Sequence, residues 1–496
     1  MIVFRKKDDV YLEVVEGDKG DLKTLSQYFT FKVPGYQFMP AYRNKFWDGH
    51  IRLYNTVDQT IYAGLWKDII KFSKEKDIPV EFEGKPGDFP GVNKPLDDAV
   101  LDDFVKKLEP KAKGKSIEMR DYQVEAFKAA VNQQRVLLLS PTASGKSLII
   151  YSLIRWWRQV HDRKILIIVP TVGLVSQMIS DFKDYSDGKF KDVQGIQAGA
   201  SKVIKSRVVV STWQSCYKQP ENWFAQFGSV IVDEVHTAQA KSLQGIMKKL
   251  LVCPDRVGLT GTLQDTKTHE LVLKGLFGPI NKVITTKELM DRNAVSDMKV
   301  SIHGLQYNKT DRAALPNDYQ GEVTFLVNHK KRNEYICRLA EKLEGNTLVI
   351  FQRIEHGKLL FDNIETKKKK FYVAGETDKD EREYVRKISE KKDVIIVASL
   401  GVFSTGVSIN NLHNLIFAHP SKSKIKVLQS IGRVLRKSDN KDIAVVYDLV
   451  DDLKHYSRAN FALRHAAERS KYYKNEKFEV KFKKVNLDDE DPTKTR

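Results

Sequence analysis

Short apolar runs alternate with amphipathic stretches along the chain from about residue 116 onward. Such nearly continuous runs are typical of strands buried on both faces, and their alternation with helices predicts a parallel, doubly wound α/β sheet. The predicted strands cover residues 136–139, 165–169, 208–211, 230–232 and 257–260, and after residue 340 they cover 347–351, 371–373, 394–398, 415–418 and 444–447. The sequence therefore predicts two α/β domains in tandem, at 116–290 and 291–452. Residues 300–330 fit neither pattern.

The first 84 residues form a different pattern, typical of a small α+β domain. Two short strands come first, and Asp48-Gly49 between residues 42–47 and 50–54 predicts a hairpin. Basic and aromatic residues interleave in this segment. They can bind phosphates and stack on bases, or the aromatic rings can fill a core; the pattern leaves both open. The residues are Tyr42, Arg43, Lys45, Phe46, Trp47, Arg52 and Tyr54.

Two segments frame the predicted α/β domains. Residues 85–115 begin with a stretch rich in Pro and Gly and are predicted to be a linker that includes an amphipathic segment at 96–108. Residues 453–496 are predicted to form a basic helical tail, and the acidic stretch 488–491 is expected to be disordered. The sequence leaves open whether the basic side chains of the tail form a solvated helix face or bind nucleic acid. They include Arg458, Arg464, Arg469, Lys471 and Lys474.

Composition narrows the class of protein. The 496 residues carry a formal net charge of +19, which indicates a polyanion as partner. No apolar run is long enough to cross a bilayer, and the N-terminus lacks the pattern of a signal peptide. Three cysteines far apart suggest neither a disulfide framework nor a zinc site. We expect a soluble, cytoplasmic protein without membrane contact, and a monomer.

A glycine- and serine-containing loop follows the first strand of the α/β region. The segment Ser140-Pro141-Thr142-Ala143-Ser144-Gly145-Lys146-Ser147 separates an apolar strand from an apolar helix. In this context the backbone N–H groups of a loop and a helix N-terminus bind polyphosphate, so Lys146 is expected to reach the β- and γ-phosphates of ATP and Ser147 to hold Mg²⁺. Ser140 and Ala143 stand where many such loops have Gly, which costs free energy if either backbone needs a positive φ.

Two carboxylates end a later strand of the same predicted sheet. Asp233 and Glu234 lie at the carboxyl edge, where open α/β sheets bind ligands. Asp233 is suited to hold Mg²⁺ through water and Glu234 to orient and deprotonate the attacking water. His236 can connect this site to the loop of the next strand. Upstream, Tyr122-Gln123 is predicted to contact the adenine edge.

The second α/β domain contributes a helix in which Arg433 and Arg436 share one face with Gln429 and Gly432. Two guanidinium groups held there could stabilise the charge that develops on a γ-phosphate.

Together these motifs resemble those of the superfamily-two helicases of the DExH group, in order and spacing, over residues 116–440. Tyr122-Gln123 resembles the Q motif, residues 140–147 motif I, residues 233–236 the DExH box, residues 260–262 motif III, residues 404–406 motif V and residues 429–436 motif VI. Gly375 with Glu381-Arg382 resembles a segment of the branched-DNA helicases. The resemblance implies two RecA-like domains that close on ATP, a nucleotide site that includes Gly406, and strand contacts near Thr171, Thr212 and motif V.

The implied activity is an ATP-dependent helicase on branched DNA, single-stranded DNA and RNA–DNA hybrids, acting on Holliday junctions, forks, D-loops and R-loops, with recombination or replication proteins as partners. Two alternatives remain open on the residues. One is a duplex translocase without strand separation, and the other is an ATP-gated annealing or binding protein.

Overall fold

A computed structural model describes residues 1–84, 89, 96–197, 199, 201–236, 240–261, 263, 267–390, 393–405, 411–419, 443–454 and 458–489. The chain divides into two compact units. The first comprises residues 1–140 and 144–284, and the second comprises residues 285–496 together with 141–143. Within the described ranges no helix is long and apolar enough to span a membrane.

A small α+β domain opens the first unit, as predicted. Its main sheet has the strand order β5-β6-β2-β1-β7, and β3 pairs with β4 in a separate ribbon. Only β1 and β7 are parallel. The elements are β1 (Ile2–Lys6), β2 (Tyr11–Gly17), α1 (Lys19–Tyr28), β3 (Thr30–Lys32), α2 (Pro40–Arg43), β4 (His50–Arg52), β5 (Tyr54–Asn55), β6 (Thr60–Tyr62), α3 (Trp66–Lys76) and β7 (Val80–Glu83).

The predicted hairpin around Asp48-Gly49 is wrong. Residues 40–43 form a helix, and the antiparallel partner of β4 is β3, not residues 42–47. Pro40 at the first turn favours the helix because its fixed φ suits that position and its missing N–H is not needed there. Asp48-Gly49 therefore lies at the end of the long connection between β3 and β4.

The rest of the first unit is built on a seven-stranded sheet with the order β12-β13-β11-β14-β15-β10-β16. All of its pairings are parallel. The elements are α4 (Asp98–Leu108), β8 (Lys111–Ala112), β9 (Lys115–Ser116), α5 (Asp121–Gln133), β10 (Arg135–Leu139), α6 (Lys146–Val160), β11 (Lys164–Val169), α7 (Val172–Tyr185), β12 (Val193–Ile196), β13 (Val208–Thr212), α8 (Trp213–Cys216), α9 (Glu221–Phe224), β14 (Phe227–Asp233), α10 (Ala240–Lys248), β15 (Asp255–Thr260), α11 (Lys267–Phe277) and β16 (Ile280–Lys282).

The small domain and one face of this sheet share a continuous apolar core. Their backbones approach closely where Gly64 meets α11: a Cβ on Gly64 would lie 2.2 Å from the carbonyl oxygen of Lys274. The N–H of Asp9 donates to the carbonyl of Leu251 at 3.0 Å, and the buried guanidinium of Arg135 donates to the carbonyl of Asp9. These contacts attach the small domain to the sheet.

Part of the predicted linker belongs to the core of the α/β domain. In α4, Leu101, Phe104 and Leu108 are buried. The ring of Phe104 stacks on Phe127 of α5 with centroids 5.3 Å apart. The amphipathic pattern noted at 96–108 is thus a packed helix, and the Pro- and Gly-rich part at 85–88 and 90–95 lies outside the described residues.

A second all-parallel sheet of seven strands, with the order β19-β20-β18-β21-β22-β17-β23, organises the second unit. Both sheets confirm the predicted fold class, two tandem RecA-like domains. The elements are α12 (Thr286–Asp291), β17 (Asp297–Gln306), α13 (Lys309–Ala313), α14 (Tyr319–Asn328), α15 (Lys330–Lys342), β18 (Thr347–Phe351), α16 (Ile354–Asn363), β19 (Lys369–Val373), α17 (Lys379–Ser389), β20 (Val394–Ser399), α18 (Leu400–Thr405), β21 (Asn414–Phe417), β22 (Ile443–Asp452), α19 (Phe461–Asn475) and β23 (Glu479–Asn486).

The segment 300–330, for which the sequence predicts no element, contains most of β17 and the helices α13 and α14. The predicted tail has the expected helix, α19, but continues into β23, which pairs with β17 and closes one side of the sheet. The buried ion pair of Arg469 with Asp448, 2.7 Å apart, anchors α19 on β22. Arg469 is therefore a packing residue. Residues 490–496 lie outside the described residues.

Candidate active site

The predicted phosphate loop lies where the interior strand β10 meets the helix that follows it. β10, between β15 and β16 in the sheet, ends at Leu139, and the N–H of Ser140 donates to the carbonyl of Thr260 at 2.8 Å. The chain then turns through Gly145, whose φ of 80° is left-handed, into the first turn of α6. The N-terminus of α6, which is the positive end of its helix dipole, therefore faces the carboxyl edge of the sheet, where it can bind an anion.

The two residues that depart from the usual loop differ in their consequences. Ala143 has a φ of 69°, so its backbone is in the left-handed conformation, which is strained for alanine and which glycine adopts freely. Ser140 is not among the residues with positive φ. Its buried hydroxyl lies 2.6 Å from that of Ser144, and this hydrogen bond closes the loop across four residues. The serine thus adds a contact that glycine cannot make.

Tyr122 and Gln123, predicted to contact adenine, hold the loop itself. The hydroxyl of Tyr122 and the amide of Gln123 both donate to the carbonyl of Ser144, at 3.1 and 2.9 Å. The amide oxygen of Gln123 accepts from the N–H of Arg120 at 2.8 Å. A Cβ on Gly145 would lie 2.3 Å from Nε2 of Gln123, so a side chain at this position would displace the amide that holds the loop. An adenine contact by Gln123 stays a prediction.

The structure brings the predicted phosphate lysine and the predicted catalytic carboxylate together. Nζ of Lys146 donates to Oε1 of Glu234 at 2.6 Å, and both side chains are largely buried. Glu234 follows the last residue of β14 with a φ of 51°, which turns the chain sharply at the strand end. β10 and β14 are separated in the sheet by β15 alone. The parallel topology therefore places two residues far apart in sequence at one edge.

Asp233 and His236 complete the carboxylate end of this site. Burial raises the pKa of Asp233 to about 6, while the charge of Lys146 opposes the shift. Nδ1 of His236 lies 2.6 Å from the hydroxyl of Thr260 and 3.3 Å from Oε2 of Glu234. His236 therefore connects the β14 end to the β15 end, as the sequence predicts. The second threonine of motif III, Thr262, lies outside the described residues.

One residue near the predicted magnesium ligand was not anticipated. The hydroxyl of Ser147 lies 2.7 Å from that of Tyr185, the last residue of α7, and burial raises the pKa of Tyr185 to about 12. Nothing in the local sequence marks Tyr185, because only the packing of α7 against α6 brings it to the loop.

The residues present fit magnesium in chemical type. Ser147 and Asp233 supply hydroxyl and carboxylate oxygens, the ligands that Mg²⁺ prefers. In the part of the chain that the structure describes, no group of three or more His, Cys, Asp or Glu residues could hold a metal ion. An ion bound here would therefore take most of its ligands from phosphate oxygens and water, as is usual for nucleotide-bound Mg²⁺.

Thr171 and Thr212, near which contacts with the nucleic-acid strand are predicted, make hydrogen bonds within the protein, and the strand contacts stay predictions. The hydroxyl of Thr171 caps α7 by accepting from the N–H of Leu174, at 3.4 Å. Thr212 is buried and its hydroxyl donates to that of Ser215 at 2.9 Å. The predicted residues Gly406, Arg433 and Arg436 lie outside the described residues.

Three protein-family models match the chain. The model for the "DNA helicase UvsW, N-terminal" region matches residues 2–83. The model for the "Type III restriction enzyme, res subunit" matches residues 116–265, and the "Helicase conserved C-terminal domain" model matches residues 331–438.

The ATP-dependent DNA helicase UvsW of Enterobacteria phage T4 is 39% identical over 496 residues, which cover 95% of this chain and 97% of the relative. The chain belongs to the UvsW family of superfamily-two helicases. It is therefore an ATP-dependent nucleic-acid helicase. The DNA 3'-5' translocase XPB2 of Sulfurisphaera tokodaii is 27% identical, over 80% of this chain and 91% of the relative.

Solved structures agree with this assignment. The crystal structure of T4 UvsW matches with a TM-score of 0.53 and 36% identity over 98% of this chain and 99% of that chain. A helicase called MrfA, bound to DNA and AMPPNP, matches with a TM-score of 0.55 over 79% of this chain and 55% of that chain. Its identity is 15%, so this likeness concerns the fold alone.

Proposed function

We propose that this protein is a DNA helicase that uses ATP to remodel branched nucleic acids: Holliday junctions, forks, D-loops and R-loops. The observation that carries the proposal is the pairing of Lys146 with Glu234 at the carboxyl edge of a parallel sheet, in a chain similar to T4 UvsW along nearly its whole length. Recombination, repair and replication are the processes that produce such substrates.

The proposed chemistry begins with an exchange of partners by Lys146. In this structure the ammonium group neutralises Glu234. Polyphosphate carries more negative charge than one carboxylate, so bound ATP would draw Lys146 toward the β- and γ-phosphates. Glu234 would then be free to accept a proton from the attacking water. In this proposal, Glu234 cannot act as the base while it is paired with Lys146, and a bound nucleotide releases it from that pair.

The remaining predicted residues have supporting roles in this proposal. Ser147 and Asp233 would hold Mg²⁺, which neutralises phosphate charge when bound. Backbone N–H groups of residues 142–145 would bind phosphate oxygens, and Tyr122 and Gln123 would keep that loop in shape through Ser144. Gly406, Arg433 and Arg436 would contribute from the second α/β domain, where the two arginines stabilise developing charge on the γ-phosphate.

A second candidate function is a duplex translocase that does not separate strands. It is favoured by the match of residues 116–265 to the restriction-enzyme model and by the similarity to the translocase XPB2. A third, an ATP-gated annealing protein, would hydrolyse ATP only incidentally.

The decisive experiment compares ATP hydrolysis and strand separation on four nucleic-acid substrates of equal length: a DNA fork, a Holliday junction, an R-loop and a linear DNA duplex. We expect branched substrates to stimulate hydrolysis most and to be resolved into their arms. Strong stimulation by linear duplex without strand separation would instead favour the translocase. If no nucleic acid stimulates hydrolysis, the motor function is wrong.

A further inference from the structure

A pair of hydroxyl groups joins the end of α7 to the first turn of α6. Oγ of Ser147, the residue predicted to hold Mg²⁺, lies 2.7 Å from Oη of Tyr185. Ser147 is the second residue of α6, and Tyr185 is the last residue of α7. A side chain that hydrogen-bonds a metal ligand from outside commonly orients that ligand, so this contact bears on metal binding as well as on packing.

The ring of Tyr185 has a fixed place beside α6. Its centroid lies 5.5 Å from that of Tyr151, a buried residue one turn after Ser147. The ring of Tyr151 in turn contacts Phe182 of α7 and Phe190, and the ring centroids are 5.9 Å apart in both pairs. This aromatic cluster holds the phenol at the phosphate loop, so ordering it for a role at the metal costs little conformational entropy.

The backbone on both sides of Tyr185 is also held. The N–H of Lys113, in the turn between β8 and β9, donates to both carboxylate oxygens of Asp184 at 3.0 Å. Nζ of Lys111 in β8 donates to Oδ2 of Asp187 at 2.6 Å. The end of α7 is thus attached to the ribbon of β8 and β9, and the packing of several elements sets the distance from Tyr185 to the phosphate loop.

The hydroxyl chemistry of this pair suits a metal ligand. A serine hydroxyl has one proton and two lone pairs, so an oxygen that gives a lone pair to a metal ion must direct its proton elsewhere. The oxygen of Tyr185 lies within reach of that proton. Tyr185 also lines a cavity of about 590 Å³, where water can accept the proton of the phenol itself. A neutral phenol adds no negative charge beside the phosphates, whereas a carboxylate in its place would repel them.

We propose that Tyr185 is a positioning residue for the magnesium site: its oxygen accepts the proton of the Ser147 hydroxyl and leaves the lone pairs of Ser147 free for the metal ion. This inference rests on the proposed role of Ser147 in holding Mg²⁺. It adds a residue at the end of α7, outside the segments that carry the helicase motifs. Tyr185→Phe is the informative substitution, because it keeps the ring and its packing and removes the oxygen alone.

The test uses the full-length protein with Tyr185→Phe, and Tyr151→Phe as a matched control. The control removes a hydroxyl from the same aromatic cluster, but that hydroxyl accepts from Nη1 of Arg155 at 2.7 Å. Binding of Mn²⁺, as a probe for Mg²⁺, to the complex of the protein with ADP is measured by electron paramagnetic resonance. We expect Tyr185→Phe to weaken Mn²⁺ binding by about tenfold, as is typical when a metal ligand loses its outer partner, and Tyr151→Phe to retain it.

A double-mutant cycle shows whether Tyr185 acts through Ser147. If it does, Ser147→Ala combined with Tyr185→Phe binds Mn²⁺ as weakly as Ser147→Ala alone, because the second substitution has nothing left to orient. The affinity for a fluorescent ADP without any divalent metal should stay at the wild-type value in Tyr185→Phe, since the phosphate loop itself is intact. Thermal unfolding of Tyr185→Phe and Tyr151→Phe is compared to separate an effect on stability from an effect on the metal.

Two results would overturn the proposal. If Ser147→Ala weakens Mn²⁺ binding and Tyr185→Phe does not, the hydroxyl pair only packs α7 against α6. If the losses of the two single variants add in the double variant, Tyr185 does not act through Ser147. Failure of the proposed function is distinguishable, because wild-type Mn²⁺ binding in Ser147→Ala would show that the magnesium ligand itself is wrongly assigned, whatever Tyr185 contributes.

Discussion

The ammonium group of Lys146 lies 2.6 Å from Oε1 of Glu234, so the residue predicted to hold phosphate neutralises the residue predicted to activate water. Neither position is close to the other in sequence, and both are largely buried. The pair gives each of the two charges a partner, since an unpaired charge at this depth would be costly. Its replacement by a lysine–phosphate contact is the event on which the proposed mechanism depends.

Lys146→Ala should reduce ATP hydrolysis by about a hundredfold or more, because it removes the ammonium charge predicted to stabilise the phosphates in the transition state. Release of inorganic phosphate measures this, with Lys218→Ala, an exposed lysine of the same unit, as control. Retained turnover in Lys146→Ala would show that the nucleotide binds elsewhere.

Glu234→Gln should retain ATP binding and reduce hydrolysis by about a hundredfold, since the amide cannot accept a proton from water. Binding of a fluorescent nucleotide and single-turnover hydrolysis separate the two effects. Glu221→Gln, on an exposed site of the same unit, is the matched control. A variant that hydrolyses ATP normally would exclude Glu234 as the base.

Arg436→Ala should leave ATP binding largely intact and reduce hydrolysis by about a thousandfold, as expected for an arginine that acts on developing charge. The measurements are those used for Glu234→Gln. An equal loss of binding and turnover would make Arg436 a ground-state contact instead.

Ala143→Gly and Ser140→Ala should change stability in opposite directions. The glycine relieves a left-handed alanine and should stabilise by about 1 kcal/mol, whereas Ser140→Ala removes the buried hydrogen bond to Ser144 and should cost about 1 kcal/mol. All six tryptophans lie before residue 224, so tryptophan fluorescence during urea unfolding reports on the first unit, which contains Ser140, and circular dichroism reports on both units. Shifts of the same sign would contradict the different roles assigned to the two positions.

Arg332→Met should destabilise the second unit by about 3 kcal/mol. Nε of Arg332 donates to Oδ1 of Asp451 at 2.7 Å with both side chains fully buried, so the substitution leaves a buried carboxylate without its counter-charge. Circular dichroism should show an earlier unfolding transition, while tryptophan fluorescence stays unchanged. Lys330→Ala, at a neighbouring exposed site, should have no effect.

Local patterns were sufficient for the strands that are buried on both faces. A short, nearly continuous apolar run such as 347–351 is typical of a strand buried on both faces, and the structure has a strand with those bounds. Mixed segments were not predictable in this way. β23 alternates lysines with apolar residues and is an edge strand, so its pattern resembles that of an exposed helix or loop until its pairing with β17 is known.

The sequence by itself determined the fold class, the helicase family and the identity of the loop residues, because apolar periodicity and motif spacing are local properties of the chain. Only the tertiary structure decided the partners: Lys146 with Glu234, Ser147 with Tyr185, and the amide of Gln123 with the loop carbonyl. These contacts join residues on different strands and helices, and their distances depend on sheet order and helix packing. The same packing leaves Phe46 exposed, which the basic and aromatic pattern of the sequence could not distinguish from a core position.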